Sequence, residues 1–224
     1  AGVELSEIPE IFERLRAQSQ WVPVPGTQIL VVPETIEDLA ARTTAWLERH
    51  HRAHSDSPGR PFDSVLGWLE RVTKNRTLAR PLLDHFQGKK LIKLLGRFVC
   101  LPAFAPAISA ADEKLQATMI AQILVGRFQP PTPTEFAEAN SVDRKRMQRL
   151  LTLAVAQGEL ISIDGTIYLH ADSDLELRRI VSDLITKESG ASVAQIREAL
   201  QSSRKYVVPF VEYLDRVGFT KRAG

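Results

Sequence analysis

A basic cluster near the C-terminal end is the strongest candidate for chemistry in this sequence. Arg204 and Lys205 stand in the first turn of a segment with apolar residues at helical spacing, and Lys221 and Arg222 follow soon after it. Positive charge at a helix N-terminus opposes the helix macrodipole, which favours acidic residues there. From Ser203 to Arg222 the chain holds five basic residues against two acidic ones, a local charge of +3. A basic helix start beside further basic residues suits contact with a phosphate backbone.

Two more residues belong to this candidate surface. Arg216 lies near the end of the same predicted helix, and Tyr206 is the nearest aromatic residue that could stack on an unpaired base. The alternative is that the charges are solvated surface groups and that Tyr206 packs against a hairpin. The residues alone leave both interpretations open.

Two other basic stretches are weaker candidates of the same kind. The helix start "DRKRMQR" carries four basic residues after Asp143, and an ordinary solvated helix face is the favoured interpretation there. The stretch "GKKLIKLLGR" places basic residues around a predicted hairpin, where they could contact a backbone. The basic residues of these stretches are Arg144, Lys145, Arg146, Arg149, Lys89, Lys90, Lys93 and Arg97.

Catalytic and metal-binding motifs are not convincing in this sequence. His50 and His54 are four residues apart with Asp56 just beyond, a spacing that could hold zinc, but "ERHHRAHSDS" is more typical of a solvated helix end. The sequence contains no G-x-S-x-G and no G-x-x-x-x-G-K-[ST], and Cys100 has no histidine close in sequence. We therefore predict no catalytic residues, no metal site and no P-loop nucleotide binding, so the chain is not expected to be an enzyme.

Composition limits the class of protein. The 224 residues carry a net charge of only +2, which excludes a histone-like polycation, so nucleic-acid binding must come from a local patch. Cys100 is the single cysteine, which rules out a disulfide within the chain and favours a reducing, cytoplasmic compartment. The longest apolar runs are too short to span a membrane, and the sequence does not open with a signal-peptide pattern.

The elements that must position the basic cluster recur along the chain. Four stretches share a helical segment, a short strand and a Gly-containing turn, centred on Gly26, Gly96, Gly165 and Gly224. These glycines are 70, 69 and 59 residues apart, which predicts a repeated small module rather than one large core. Asp164-Gly165 between alternating apolar runs predicts a type I′ hairpin turn.

Each complete repeat is predicted to be a helix-turn-helix followed by a hairpin, that is, a winged helix. The predicted fold class is mostly α with small β-hairpins (α+β), as tandem winged-helix modules in an elongated array. The boundaries are 1–33 for a partial first winged helix, 34–108 for the second, 109–171 for the third and 172–224 for the fourth. We expect the first module to keep only its last helix and hairpin, and the wing of the fourth to be cut short.

The C-terminal motif resembles a known family. Tandem winged helices ending in "SRKYVVPFVEYLDRVGFTKRAG" closely resemble the C-terminal extension of SelB, the selenocysteine-specific bacterial elongation factors. The stretch "GELISIDGTIYLH" is similar to the third winged helix of that family, and "LERHHRAHSDSPGRPF" is similar, more weakly, to the start of the second. The resemblance covers essentially the whole chain and is most specific in the last third.

The resemblance implies a function in selenocysteine incorporation. Members of the family bind GTP with Mg²⁺ and selenocysteinyl-tRNA through domains upstream of the winged helices, so no cofactor is expected in the segment seen here. Their C-terminal winged helices bind the selenocysteine insertion (SECIS) hairpin in mRNA, so that UGA is decoded as selenocysteine on the ribosome. A monomeric, cytoplasmic mRNA-binding region without membrane association is therefore expected.

Carried over by position, the resemblance assigns RNA phosphate contacts to Arg204, Lys205, Lys221 and Arg222, and less firmly to Arg216. Because the major groove of A-form RNA is too deep and narrow to read, specificity must come from loop or bulged bases held among phosphate contacts. Two alternatives remain open. Winged helices most often read duplex DNA, which predicts a transcriptional regulator, and they also serve as protein-interaction scaffolds.

Overall fold

The computed structural model describes residues 10, 14, 21–188 and 190–221 of the chain. Helices dominate these residues, and their strands form three small antiparallel sheets. The chain divides into two compact units, residues 1–107 and residues 108–224. The predicted fold class, mostly helical with small β-hairpins, is confirmed. The finer division into four modules stays a prediction, and the helix expected before residue 21 lies almost wholly outside the described residues.

From residue 21 onward, the first unit contains a hairpin, three helices and a three-stranded sheet. Its elements are β1 (Val22–Pro23), β2 (Leu30–Val31), α1 (Pro33–Ala53), β3 (Arg60–Pro61), α2 (Phe62–Thr73), α3 (Arg76–Gly88), β4 (Lys93–Leu95) and β5 (Phe98–Cys100). β1 pairs with β2 and β4 with β5, so the predicted hairpins around Gly26 and Gly96 are confirmed. The sheet order β3-β5-β4 puts the strand before α2 beside the hairpin that follows α3.

A glycine permits the close approach of β3 to β5. Gly59 has a φ of 135°, and a Cβ atom there would lie 2.5 Å from the carbonyl oxygen of Val99. A side chain at this position would therefore have to displace backbone as well as adopt a φ that L-residues rarely take.

A buried histidine connects α1 to the segment after β5. The ring of His51 is 7% exposed, stacks on Phe104 with 3.6 Å between ring centroids, and accepts a hydrogen bond at Nε2 from the backbone N–H of Leu101 at 3.2 Å. Burial, aided by the neighbouring charge of His50, lowers the pKa of His51 to about 4. The ring is therefore neutral at physiological pH, and it acts as a packed hydrogen-bond acceptor.

The second unit contains two successive sets of three helices with a hairpin between them. Its elements are α4 (Ala110–Gly126), α5 (Pro133–Ala139), α6 (Arg144–Gln157), β6 (Leu160–Ser162), β7 (Tyr168–His170), α7 (Ala171–Glu188), α8 (Val193–Ala199) and α9 (Arg204–Arg216). Capping boxes open two of these helices, α8 with Ser192 and Gln195 and α5 with Thr132 and Glu135. Gly158 ends α6 in the left-handed conformation that glycine adopts at little cost. None of the described helices combines the length and the apolar character that crossing a bilayer requires.

The turn between β6 and β7 differs from the predicted type I′ turn. That turn needs a positive φ at both central residues, but only Gly165 has one, at 89°. Instead, the carboxylate of Asp164 accepts hydrogen bonds from the backbone N–H groups of Thr166 and Ile167, both at 2.8 Å, and a longer loop results. The aspartate closes the turn with its side chain rather than through its backbone conformation.

The three helix-turn-helix segments share backbone details that support a common design. Each tight turn contains one non-glycine residue with a left-handed φ, 52° at Lys74, 51° at Ser141 and 48° at Gln201. The helices α3 and α9 both span 13 residues and carry proline at the sixth position, Pro81 and Pro209. A proline there leaves the carbonyl group four residues earlier without its helical donor.

The hairpin β6–β7 is shared between the two halves of the second unit. Ile163, Ile167 and Leu169 lie in the same buried cluster as Val207 and Phe210 of α9. The helices α4 to α6 have a separate apolar cluster of their own. The wing that follows α6 is thus part of the core under α7 to α9.

Candidate nucleic-acid interface

The start of α9 is an exposed, uncapped helix N-terminus. Ser203 occupies the N-cap position, but its hydroxyl accepts no hydrogen bond from the helix. Among the described residues, the backbone N–H groups of Arg204 and Lys205 have no hydrogen-bond partner, and both side chains are exposed. Free N–H groups and two cations therefore meet at one point, an arrangement that attracts anions.

The start of α6 is a useful contrast because it has the same Arg-Lys pair. Arg144 and Lys145 open α6, but the carboxylate of Asp143 accepts hydrogen bonds from the N–H groups of Lys145 and Arg146 at 2.9 and 3.0 Å. An anion already occupies that helix end. A phosphate would be repelled at α6, whereas α9 offers the same residues with the position open.

Arg204 belongs to a cleft of about 910 Å³ between α7, α8 and α9. Arg197 of α8 and Lys221 line the same cleft, together with Glu212 and Asp215. The three cations outnumber the two carboxylates by one, so the cleft has a small positive balance. Arg197 was missed by the sequence reasoning, since nothing in the short helix α8 marks it as a neighbour of Arg204.

Lys205 lies on the opposite side of the helix start and approaches the other half of the unit. Its Nζ is 3.6 Å from Oε1 of Glu135, and both side chains are more than half exposed. Hydrogen bonds from Thr132, and to a lesser extent the charge of Lys205, hold the pKa of Glu135 below its usual range. An exposed ion pair of this kind contributes only about 0–1 kcal/mol, so a phosphate can compete for the ammonium group.

The structure corrects the role suggested for Tyr206. Its ring is 8% exposed and packs beside Phe210, with 6.4 Å between ring centroids. Its hydroxyl donates to the carbonyl oxygen of Pro130 at 3.1 Å. A ring held in the core cannot stack on an unpaired base, so Tyr206 instead ties α9 to the segment before α5.

The other residues predicted to contact RNA are Arg216, Lys221 and Arg222, of which Arg216 and Lys221 lie in different environments. The guanidinium of Arg216 donates to the carbonyl oxygen of Ile163 and lies 5.8 Å from the ring of Tyr213, so it binds α9 to the β6–β7 hairpin. Lys221 is exposed, but residues 217–221 form no strand, because no partner strand adjoins them among the described residues. Arg222 lies outside the described residues. RNA contact by Arg204, Lys205, Lys221 and Arg222 stays a prediction.

A buried network that the sequence did not reveal supports α9 from behind. Asp174 is 4% exposed and accepts from Nε of Arg178 at 2.8 Å, while the same guanidinium donates to the hydroxyl of Tyr213 at 2.7 Å. The guanidinium carbon of Arg178 also lies 5.1 Å from the ring centre of Phe219. Asp174 lies in the first turn of α7, where the helix dipole favours an acidic residue, and it also fixes the position of α9 through Arg178.

At least one basic side chain in each of the other basic stretches has a structural partner. Arg146 donates to Asp112 of α4 at 2.6 Å, and this hydrogen bond lowers the pKa of the carboxyl group. Lys93 donates to the carbonyl oxygen of Pro102 at 2.8 Å. In the proposed zinc motif, the Nε2 of His50 lies 3.2 Å from the carbonyl oxygen of Gly59, and the described residues contain no cluster of three metal-ligating side chains.

Both units contain a helix-turn-helix followed by an antiparallel hairpin, and this combination defines the class of protein. The chain is a tandem winged-helix protein, and the last helix of its last motif begins with two exposed basic residues.

Comparison with known proteins finds a family model that matches the last motif. Residues 183–224 match the family described as "Elongation factor SelB, winged helix", and the match includes all of α8 and α9. The chain is 22% identical over 196 residues to the selenocysteine-specific elongation factor of Desulfomicrobium baculatum, and 26% identical over 178 residues to that of Escherichia coli strain K12. The alignments cover 85% and 80% of this chain but only 30% and 28% of the relatives, so the chain spans under a third of their length.

A solved structure described as the mRNA-binding domain of elongation factor SelB from E. coli in complex with SECIS RNA is 25% identical to the chain. It matches 52% of this chain and 94% of its own length, with a TM-score of 0.47.

Proposed function

We propose that this chain is the mRNA-binding region of a selenocysteine-specific elongation factor and that the start of α9 binds the backbone of an RNA hairpin. The observation that carries the proposal is the uncapped start of α9 with its Arg204-Lys205 pair. Its free N–H groups, exposed cations and lack of an acidic cap are what a phosphate requires. The family match over residues 183–224 covers the whole of this helix.

Phosphate contacts alone do not select a sequence, so base recognition must come from neighbouring groups. The cleft that contains Arg204, Arg197 and Lys221 adjoins the helix start and is large enough for an extruded nucleotide. Guanidinium groups can stack on a base or bind its acceptor edge, which makes Arg197 a candidate for base contact.

The wider role follows from the named relatives. In the whole protein, the winged helices would tether a GTPase part loaded with selenocysteinyl-tRNA to an mRNA hairpin near a UGA codon. GTP and Mg²⁺ would belong to that GTPase part, and the ribosome would be the site of action. The residues of this chain would supply RNA binding rather than catalysis.

The test compares one labelled stem-loop RNA with a duplex DNA of equal length by fluorescence anisotropy, using the full 224-residue chain. The double variant Arg204→Ala with Lys205→Ala removes two cations that contact phosphate. We expect it to lose about 1.4–3 kcal/mol of binding free energy, which lowers the RNA affinity by about 10- to 150-fold. The slope of log K against log salt should become shallower by about 0.7–0.9 for each phosphate that the variant no longer neutralises.

A matched control is available in the same chain. Arg144→Ala with Lys145→Ala removes the same pair from the start of α6, where Asp143 already caps the helix. This variant should bind the RNA within about threefold of the wild-type affinity, since a phosphate at α6 would be repelled by the capping carboxylate. Stronger binding to DNA than to the RNA hairpin would replace the proposal with a DNA-binding regulator. Absence of binding to either nucleic acid would favour a protein-interaction scaffold.

A further inference from the structure

A cleft in the first unit carries positive charge and aromatic surface with no function assigned to it. Its volume is about 620 Å³, and its walls come from α1, β3 and α2. It is lined by Arg42, Trp46, Arg60, Trp68, Arg71 and Val72. In this unit α3 is the helix that corresponds to α9. None of the residues that line the cleft belongs to α3, so the cleft is separate from that helix.

The aromatic part of the cleft is a stacked pair of indoles. Trp46 of α1 and Trp68 of α2 have 5.1 Å between ring centroids and an angle of 14° between their planes. Both rings are half-buried, so part of their surface remains open to the cleft. Two of the three tryptophans in the whole sequence are therefore placed in one cleft.

The charged part consists of three guanidinium groups. Arg60 lies over Trp46 with 4.2 Å from its guanidinium carbon to the ring centroid, and its buried Nε has no hydrogen-bond partner within the described part of the chain. Arg71 is exposed and uses its Nε for the carbonyl oxygen of Gly67 at 3.1 Å, which leaves its terminal nitrogens available. Arg42 forms an exposed pair with Asp38 at 3.3 Å, a contact that an anion can displace.

Among the described residues that line the cleft, none carries a carboxylate. The cleft is therefore complementary to a ligand that is both planar and negatively charged. A nucleotide has both properties in one residue, since its base stacks on aromatic rings and its phosphate binds guanidinium groups. The carboxylates of an acidic peptide would satisfy the arginines, but aspartate and glutamate side chains present no ring to the indoles.

We propose that this arginine–tryptophan cleft is a second RNA-binding site, which holds an unpaired nucleotide with its base on Trp68, the outer ring of the indole pair, and its phosphate on Arg42 and Arg71. Arg60 fixes Trp46 and adds to the positive potential. The site goes beyond the hairpin contact assigned to α9, and it stands on residues of the other unit. RNA would therefore be bound at two independent places along the chain.

The experiment uses tryptophan fluorescence of the full chain carrying Trp21→Phe, so that all emission comes from the cleft. Titration with single-stranded octa-adenylate RNA is expected to quench this emission to saturation. Arg42→Gln with Arg71→Gln should raise the dissociation constant about tenfold or more and make the salt slope shallower by about 1.4, since each phosphate contact on a single strand contributes about 0.7. Trp68→Leu should weaken binding at least about fivefold, because the base can no longer stack on that indole.

Arg52→Gln is the matched control for the arginine changes. It removes a similar exposed pair on the same helix, Arg52 with Glu48 at 3.1 Å, but lies outside the cleft, and its titration should superimpose on that of the parent. The same titration in a chain with Arg204→Ala and Lys205→Ala separates the two sites. Quenching should persist there, even if the proposed function of α9 fails.

Three results would overturn the proposal. These are an absence of RNA-dependent quenching at millimolar RNA, an unchanged dissociation constant after the Arg42 and Arg71 changes, and quenching that disappears with the α9 substitutions alone. Quenching by poly-glutamate but not by RNA would also overturn it, and would reassign the cleft to an acidic protein partner.

Discussion

The substitution Ser203→Asp separates helix stability from RNA binding at the start of α9. The Ser203 hydroxyl makes no capping bond, whereas the aspartate at the equivalent position of α6 accepts two backbone N–H groups at 2.9 and 3.0 Å. An aspartate at position 203 should form the same bonds. Adding this cap should stabilise the fold by about 1 kcal/mol, which raises the melting temperature by about 2–4 °C for a protein of this size.

The same change should weaken RNA binding. The carboxylate of Asp at position 203 would occupy the backbone N–H groups that a phosphate needs. It would also place a negative charge about 4 Å from a phosphate bound there. At an effective dielectric constant of about 20, two charges at that distance repel by about 4 kcal/mol, an upper bound before salt screening. We expect at least a tenfold loss of affinity, measured by anisotropy with the stem-loop RNA, in a protein that is more stable in urea.

Two controls make the result interpretable. Ser203→Asn caps the helix without a charge and should show the stability gain with a smaller loss of affinity. Asp143→Ala at α6 should lower stability by about 1 kcal/mol and leave RNA affinity unchanged. If Ser203→Asp were stabilised and still bound RNA like wild type, the phosphate could not lie at the start of α9, and the reasoning would be refuted.

Three further predictions concern the scaffold. His51 has a pKa of about 4 in the folded protein, whereas a histidine in the unfolded chain has a pKa near 6.5. The free energy of unfolding, measured by urea titration, should therefore fall as the pH drops from 6.5 towards 4, by up to about 2 kcal/mol at pH 5. The variant His51→Gln should lack this pH dependence. Gly59→Ala should destabilise by about 2–4 kcal/mol because its Cβ meets a backbone carbonyl, whereas Gly67→Ala in the open middle of α2 should stabilise by about 0.5–1 kcal/mol in the same assay. Arg178→Met should cost about 3 kcal/mol in denaturation, because it leaves the carboxylate of Asp174 buried without its partner.

Local signals predicted most of the secondary structure. The hairpins around Gly26, Gly96 and Gly165, the cap at Ser192 and the helix end at Gly158 all follow from short-range chemistry that glycine and hydroxyl side chains impose on the backbone. These effects act within a few residues, so a sequence shows them directly.

The packing of side chains between distant segments could not be predicted in the same way. Tyr206 follows two basic residues at a helix start, where the sequence suggests an exposed ring that could stack on a base. Its hydroxyl instead donates a hydrogen bond to the carbonyl oxygen of Pro130, 76 residues away along the chain. Arg216 reaches Ile163 over a separation of 53 residues. In the sequence, Trp46 and Trp68 are apolar residues of two separate helices. In the folded structure their rings stack on each other beside three arginines.

The packing of the β6–β7 hairpin limits where a nucleic acid can bind the second unit. In a winged helix the hairpin and the last helix can both contact a backbone, but here Ile163, Ile167 and Leu169 are buried against α9. Arg216 closes the same edge through its bond to the carbonyl of Ile163. The hairpin of the earlier motif therefore shares its buried side chains with the later one, and its tip, residues 164–166, stays exposed. Of the two helix starts with an Arg-Lys pair, α6 is closed to anions by its own cap, so we expect a phosphate to bind at the open start of α9 rather than at the start of α6.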